Sequence, residues 1–144
     1  MAHSFNMVTL GVQDLARSRA FYEALGWQGR GGEGGAPVFF GGHGTVLAIW
    51  DRSSLAADSA LPEGSSSGAD GWGGITLACC LGSEAEVDEL TATARGAGGT
   101  VAREPAATSW GGYDSIVVDP DGHRWEIAHN PEWPVSPEGG VSLG

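Results

Sequence analysis

The sequence predicts an α+β fold built from two βαβββ modules that pair around a shared cavity. The main observation is an internal repeat. Residues 75–79 (ITLAC) match residues 8–12 (VTLGV) at an offset of 67, and a capped amphipathic helix follows each segment. The composition agrees, because 144 residues are enough for one domain and 25 glycines indicate many tight turns. One helix covers only one face of a four-stranded sheet, so two modules are expected to pair, within one chain or across a dimer.

The first module is expected over residues 5–51. Its opening strand, residues 7–12, leads to Asp14 at the N-cap position of a helix that Gly26 ends. The glycine-rich segment at residues 29–35 predicts a turn or a mobile loop. Two further strands are expected on either side of a Gly-Gly-His-Gly hairpin, at residues 37–40 and 45–50.

The second module is expected over residues 73–129, after a linker at residues 52–72 that is rich in Ser, Ala, Gly and Asp and allows a helical turn near Leu55. Ser83 and Glu86 form a capping box at the start of its helix, and a glycine-rich segment ends that helix. A tail with three prolines, residues 130–144, is not expected to join a sheet. The remaining strands are expected at residues 100–103, 113–118 and 124–128.

Composition and charge exclude several classes of function. Seven arginines, no lysines and 18 acidic residues give a formal net charge of -11. No basic stripe can therefore meet a nucleic-acid backbone, and a cationic or neutral small ligand suits this field better than an anion. No apolar run approaches the roughly 18 residues that span a membrane, and the first residues lack a signal-peptide pattern. Cys79 and Cys80 are adjacent and are interpreted as reduced thiols, which predicts a cytoplasmic protein.

Two segments carry a resemblance to a known family. The start of the first helix, residues 14–22 (DLARSRAFY), and the end of the second module, residues 119–126 (DPDGHRWE), resemble the vicinal oxygen chelate superfamily. That superfamily contains glyoxalase I, extradiol dioxygenases, fosfomycin-resistance enzymes and the bleomycin-resistance drug binders. The resemblance covers about residues 5–129. It implies the glyoxalase/bleomycin-resistance fold and a homodimer, but a fold alone does not fix the chemistry.

Enzymes of that superfamily usually hold a divalent metal between their two modules. The resemblance places the four ligand positions at Met7, Ala48, Gly74 and Glu126. Only Glu126 carries a suitable donor, whereas a catalytic Zn²⁺ needs about three protein ligands. We therefore expect no metal and no other cofactor. His123, Glu126 and His129 have a spacing that could supply further ligands, but on a strand Glu126 points away from both histidines, so we expect surface or capping roles for them. Whether a histidine restores a metal site stays open at this point.

Glu126 is the candidate centre of the site. If it faces the cavity, desolvation raises its pKa, and it can serve as a general base or as a counter-ion for a ligand cation. The alternative is a structural acid paired with Arg124 on the same strand face. Strand alternation predicts the rest of the lining, and aromatic residues at strand ends or in glycine-rich segments are suited to clamp a flat ligand. The expected ligand-binding residues are Met7, Thr9, Ala48, Trp50, Trp72, Gly74, Thr76, Trp110, Tyr113, Arg124 and Glu126.

These residues leave more than one function open. The first hypothesis is a metal-free small-molecule-binding protein, similar to the bleomycin-resistance drug binders, that sequesters an aromatic, antibiotic-like compound between tryptophans. The alternative is a glyoxalase-like enzyme (a lyase, isomerase or dioxygenase) that uses a metal with unusual ligands or Glu126 as a general base. A purely structural domain would need side chains that fill the cavity, which small residues such as Ala48 and Gly74 disfavour. Whether the chain is an enzyme stays open at this point.

Overall fold

Each half of the chain forms a four-stranded mixed sheet that packs on a helix. The computed structural model describes residues 7–60 and 75–142, and the chain divides into two compact units, Met1–Gly71 (unit 1) and Trp72–Gly144 (unit 2). In each sheet the first strand lies parallel to the last, and the other neighbours are antiparallel. The predicted α+β class and repeated βαβββ modules are confirmed. No helix within the described residues is long and apolar enough to cross a membrane.

Unit 1 is built on the strand order β1-β4-β3-β2. Asp14 begins its first helix by accepting a 3.0 Å hydrogen bond from the backbone N–H of Arg17. That helix buries Phe21 and Tyr22, and the Tyr22 ring lies 5.7 Å from the ring of Phe40. The elements are β1 (Met7–Val12), α1 (Leu15–Ala24), β2 (Gly29–Gly31), β3 (Val38–Gly41), β4 (Val46–Asp51) and α2 (Arg52–Asp58).

Unit 2 repeats this plan with the strand order β5-β8-β7-β6. Ser83 caps its long helix and accepts a hydrogen bond from the backbone N–H of Glu86. The buried Thr91 hydroxyl lies 2.7 Å from the carbonyl oxygen of Val87, to which it donates, and 2.7 Å from the hydroxyl of Ser115, which ties the helix to the sheet. The elements are β5 (Leu77–Cys80), α3 (Glu84–Gly96), β6 (Thr100–Ala107), β7 (Tyr113–Val118) and β8 (Arg124–His129).

The glycine-rich segment at residues 29–35 differs from its prediction as a turn or mobile loop. It contains strand β2 and a 3₁₀ turn at Glu33–Gly35. A Cβ at Gly29 would lie 3.0 Å from side chains of β3, so any larger residue would have to push these side chains aside. The Arg19 guanidinium donates to the carbonyl oxygens of Gly29 (2.8 Å) and Gly31 (3.2 Å). A contact from α1 therefore holds a strand that local propensity disfavours.

Other element boundaries also shift from the sequence prediction. The helical turn allowed near Leu55 is present and is longer than one turn: it forms helix α2, which Asp51 caps by accepting a 3.0 Å hydrogen bond from the backbone N–H of Ser54. Strand β5 begins at Leu77, two residues later than predicted, and β6 extends to Ala107.

The repeat offset of 67 is wrong by two residues. The residues that cap the two helices, Asp14 and Ser83, lie 69 positions apart. The same offset relates β1 to β5. Thr9 pairs with Ala48, the third residue of β4, and Ala78 pairs with Glu126, the third residue of β8. The counterpart of Met7 is therefore Thr76 and not Gly74, which lies outside the described residues.

Candidate functional site

Strand alternation gives each sheet one face that packs on its helix and an opposite face, which we call the far face. The far face of unit 1 carries Met7, Thr9, Gly11, Phe39, Val46, Ala48 and Trp50. The far face of unit 2 carries Ala78, Cys80, Arg103, Asp114, Ile116, Arg124, Glu126 and Ala128. Most of the expected ligand-binding residues that the structure describes therefore lie on the far face of their own unit.

Three charged side chains cross the far face of unit 2 on neighbouring strands. We call Arg103 of β6, Asp114 of β7 and Glu126 of β8 the charged cluster. Nη2 of Arg103 lies 2.8 Å from each carboxylate oxygen of Asp114. The side chain of Asp114 is only 5% exposed, whereas that of Arg103 is 56% exposed. Glu126 forms a side-chain hydrogen bond with Asp114. The cluster is thus an acid pair anchored by one arginine.

The hydrogen bond to Asp114 raises the pKa of Glu126 to about 7, with further contributions from burial and from the charge of Asp114. Arg103 lowers the pKa of Glu126, but less strongly. The direction is the one expected from the sequence, although the main cause is a second carboxyl group. Arg124, the alternative partner, is exposed and has no ion pair within the part of the chain that the structure describes. Glu126 is therefore poised to exchange a proton near neutral pH.

The two cysteines lie on opposite faces of β5. Cys80 shares the far face with Glu126, and burial together with the charge of Glu126 raises the pKa of the Cys80 thiol. Cys79 faces α3, and burial raises the pKa of its thiol, with the charge of Cys80 as the smaller cause. Both side chains stay protonated at neutral pH and are poor nucleophiles.

A groove of about 280 Å³ adjoins the charged cluster at the end of β6. Its size lies just below the range of typical small-molecule pockets. The indole of Trp110 is 51% exposed there. The groove is lined by Arg103, Ala106, Ala107, Thr108, Ser109, Trp110 and Asp114.

The loop that carries Trp110 is closed by its own hydrogen bonds. The backbone N–H of Thr108 donates to the carbonyl oxygen of Gly112, and the N–H of Gly112 donates to the Thr108 hydroxyl, each over 2.9 Å. The indole lies on Gly112, where an added Cβ would come within 2.0 Å of the ring. The loop therefore holds the ring in place before any ligand arrives.

The predicted residues of unit 1 offer less to a ligand. Trp50 donates its ring N–H to the carbonyl oxygen of Gly35 over 2.9 Å, so this edge of the indole is anchored on the 3₁₀ turn. Ala48 is fully buried, and the apolar side chain of Met7 is exposed.

Several predicted residues do not join the charged cluster. Tyr113 is placed on the α3 side of the sheet, where its hydroxyl donates to Asp88 over 2.7 Å, so its assignment to the ligand site is not supported by its position. Thr76 is exposed and precedes β5, and Trp72 and Gly74 lie outside the described residues. His129 lies on the face opposite Glu126, as alternation predicted.

Sequence reasoning missed Arg103 and Asp114. The available signal was the acid in the mainly apolar segment YDSIVV, because a charged residue inside such a strand usually has a specific partner. Its pairing with Glu126 depends on the register between β7 and β8, which no local pattern specifies.

The residues at the family's metal-ligand positions do not fit a divalent ion. Met7 offers a thioether, Ala48 has no donor, and Thr76 offers a neutral hydroxyl. Hard ions and zinc require several carboxylate, imidazole or thiolate ligands. Both carboxylate oxygens of Asp114 accept hydrogen bonds from Arg103. In residues 7–60 and 75–142, no group of three His, Cys, Asp or Glu side chains is placed to hold a metal.

The sequence and the fold are similar to those of known proteins. The model of the Glyoxalase/Bleomycin resistance protein/Dioxygenase superfamily matches residues 4–127. A glyoxalase-related enzyme from Fulvimarina pelagi is 36% identical, with a TM-score of 0.87 over 99% of both chains. A hypothetical protein from S. aureus is 25% identical, with a TM-score of 0.75 over 90% of this chain and 95% of that one. Lactoylglutathione lyase from Agrobacterium tumefaciens shares the fold at 21% identity and a TM-score of 0.67, over 90% of this chain and 96% of that one. No curated protein matches the chain.

Proposed function

The chain belongs to the Glyoxalase/Bleomycin resistance protein/Dioxygenase superfamily, and we propose that within this family it is a small-molecule-binding protein that works without a metal ion. The observation that carries this proposal is the groove beside the charged cluster, where a half-exposed indole and a charge-paired arginine meet. A concave surface with a few convergent polar groups is the usual form of a ligand site. The donors at the family's metal positions do not suit a metal, which favours binding by side chains alone.

An aromatic ligand suits this groove. Trp110 presents a broad apolar face whose position is already held by the loop, so stacking on it costs little conformational entropy. The expectation of a clamp between two tryptophans now rests mainly on Trp110, because the ring N–H of Trp50 is bonded to Gly35. We propose an aromatic, antibiotic-like compound as the ligand.

The test is a thermal-shift screen of aromatic natural products on protein purified without a histidine tag and treated with a chelator. We expect substoichiometric metal by elemental mass spectrometry and ligand stabilisation of several degrees that EDTA does not change. Trp110→Ala should abolish the shift, whereas the matched control Trp133→Ala, an exposed indole of the C-terminal segment, should keep it. A stoichiometric, tightly held cation, or stabilisation that EDTA removes, would overturn the proposal.

A second candidate function is favoured by the acid pair. Glu126 can act as a general base without a metal, because its hydrogen bond to Asp114 brings its pKa close to working pH. The proton of a substrate C–H or O–H group would pass to a carboxylate oxygen of Glu126. The relative from Fulvimarina pelagi is called a glyoxalase-related enzyme, which supports testing this candidate.

Glu126→Gln separates the two candidates. If the chain is an enzyme, kcat falls by about 10²-fold or more while ligand binding persists, and kcat/KM of the unsubstituted protein rises with pH through about 7. If the chain only binds, no turnover is found for ligands that stabilise it. A Glu126→Gln variant that keeps both binding and turnover would show that Glu126 is not part of the site.

Two further proposals concern the oligomeric state and the cellular location of the protein. We propose a homodimer, which the family resemblance implies, and a cytoplasmic location, which two adjacent reduced cysteines favour. Sedimentation at micromolar concentration tests the first expectation, and cell fractionation with a specific antibody tests the second.

A further inference from the structure

We infer that the groove beside β6 binds a planar aromatic ring that carries a carboxylate, with Trp110 stacking on the ring and Arg103 pairing with the carboxylate. This inference rests on the proposed function as a small-molecule-binding protein and names the chemical class of its ligand. It is carried by the free hydrogen-bonding capacity of Arg103, by the position of the indole and by the charges that line the groove.

Arg103 keeps two nitrogen donors of its guanidinium for a ligand. Its bonds to Asp114 both use Nη2, and within the described residues Nε and Nη1 have no hydrogen-bond partner. Asp114 is almost fully buried, so the ion pair fixes the guanidinium while more than half of the Arg103 side chain stays exposed. Because Nε and Nη1 lie on either side of Cδ, each can donate one charge-assisted hydrogen bond to a ligand carboxylate, and the fixed guanidinium supplies the positive charge.

Trp110 supplies the second contact. Its indole lies on Gly112 and belongs to the same groove as Arg103. A ligand that stacks on this ring can therefore direct a substituent towards the arginine. The volume of about 280 Å³ suits one or two fused rings and excludes a large ligand from full enclosure.

The charges within the groove favour an anion, although the net charge of the whole chain is -11. The lining residues other than Arg103 and Asp114 are uncharged, and the carboxylate oxygens of Asp114 already accept two hydrogen bonds from Arg103. Glu126, the third member of the charged cluster, interacts with the charge of Arg103 but does not line the groove, so the exposed charge of the lining is the guanidinium. Repulsion from distant acids is screened over about 8 Å at physiological ionic strength, whereas a direct ion pair in the groove is not. This local arrangement differs from the preference for cations that the net charge predicts.

The experiment uses three probes with one ring system: 2-naphthoate, 2-naphthamide and 2-naphthylmethylamine, which are anionic, neutral and cationic. Their affinities for the full-length, chelator-treated protein are measured by calorimetry at pH 7.5. We expect 2-naphthoate to bind at least about tenfold more tightly than the amine, with the amide between them. The result that overturns the inference is an amine that binds as tightly as the naphthoate or more tightly.

Substitutions of Arg103 and Trp110 test the ion pair and the stacking contact separately. Arg103→Gln should weaken 2-naphthoate about tenfold or more and leave 2-naphthamide within about threefold, because the neutral amide forms no charged pair with Arg103. Arg103→Lys keeps the charge but loses the planar guanidinium that Asp114 fixes, so it should fall between Arg103→Gln and the unsubstituted protein. Trp110→Ala should weaken all three probes alike. Arg95→Gln is the matched control. Arg95 of α3 pairs with Glu104, which follows Arg103 in β6 but lies on the α3 side of the sheet, so this substitution should change no affinity.

The outcomes separate this inference from the proposed function. If Arg103→Gln folds, as its circular dichroism shows, and leaves the affinity for 2-naphthoate unchanged, the inference is wrong. If Arg103→Gln does not fold, Arg103→Lys and the order of the three probes decide. If none of the probes binds, the inference is also wrong, whereas the proposed function is judged separately by the wider aromatic screen.

Discussion

Glu126 is less stable as an anion in the folded protein than in the unfolded chain, because Asp114 and burial oppose its charge. Its ordinary pKa is 4.5 and its pKa in the fold is about 7, so between these values the folded state keeps a proton that the unfolded chain releases. The free energy of unfolding therefore falls as pH rises through this window. Glu126→Gln should remove this loss and stabilise the protein at pH 8 by roughly 1 kcal/mol after solvent screening, with little effect at pH 4.5.

Urea unfolding at several pH values measures this effect. Glu138→Gln, which changes an exposed acid of the C-terminal segment, is the control and should leave the pH dependence unaltered. A Glu126→Gln variant that loses stability at pH 8 would contradict the acid pair as described.

Asp114 is expected to control the ionisation of Glu126. Asp114→Ala removes both the hydrogen bond and the negative charge that raise the pKa of Glu126, so this pKa should fall towards 4.5, with burial still raising it and the charge of Arg103 still lowering it. Carbon-detected NMR titration of the Glu126 side chain measures the change. Asp58→Ala, at an exposed position in unit 1, should have no effect. An unchanged pKa of Glu126 would show that burial alone raises it.

At this scale the sequence predicts the acid but not its environment. Glu126 follows from the family motif and from strand alternation, which also places Arg124 and Ala128 on its face. Its actual partner, Asp114, is distant along the chain and meets it only through the strand register. Tyr113 shows the same limit, because its loop context indicates a ligand contact while the alternation of β7 turns it to α3.

At the scale of elements, one buried pair of hydroxyls joins α3 to β7. The Thr91 hydroxyl donates to the Val87 carbonyl oxygen, so Ser115 is the donor in the 2.7 Å bond to Thr91. Thr91→Val leaves the buried Ser115 hydroxyl without an acceptor and should cost about 1–3 kcal/mol of unfolding free energy. Chemical denaturation measures this loss, and Thr93→Val on the exposed side of the same helix should cost less than about 0.5 kcal/mol.

The double variant Thr91→Val/Ser115→Ala removes the unsatisfied group together with its former partner. It should be no less stable than Thr91→Val alone, because replacing both partners of a buried hydrogen bond costs less than replacing one. Additive losses in the double variant would show that the pair does not act as a unit.

Elements with strong local signals are those that the sequence predicts. The capped helices α1 and α3 begin where Asp14 and Ser83 place them. Strand β2 escapes prediction because its glycines have no strand propensity, and its stability comes from Arg19 of α1. A tertiary contact outweighs local preference there.

At the scale of the whole molecule, the excess of negative charge should slow the approach of an anionic ligand. Raising ionic strength from about 0.01 M to about 0.15 M shortens the Debye length from about 30 Å to about 8 Å. The association rate of 2-naphthoate should therefore rise with salt, while that of neutral 2-naphthamide stays constant. Stopped-flow fluorescence measures both rates. A 2-naphthoate rate that falls with salt would mean that Arg103 dominates the field at long range.

The repeat, the α+β class and the superfamily are predictable for the whole chain because they rest on patterns that recur or on whole motifs. The offset between the modules is harder to predict from the sequence. A short apolar strand resembles another at several alignments, and helix caps fix the correspondence that places Thr76 opposite Met7. The predicted cavity shared by the two modules stays a prediction.

The two neighbouring thiols of β5 allow the exposure of the two faces of its sheet to be measured by chemical labelling. Since successive side chains of a strand point in opposite directions, no disulfide can form between Cys79 and Cys80 without breaking the strand. With Cys80→Ser in place, slow alkylation of Cys79 would follow the opening of α3 from its sheet. With Cys79→Ser in place, the labelling rate of Cys80 would report changes in the exposure of the far face around Glu126. The two single-cysteine variants would therefore measure exposure on the two faces of the same sheet separately.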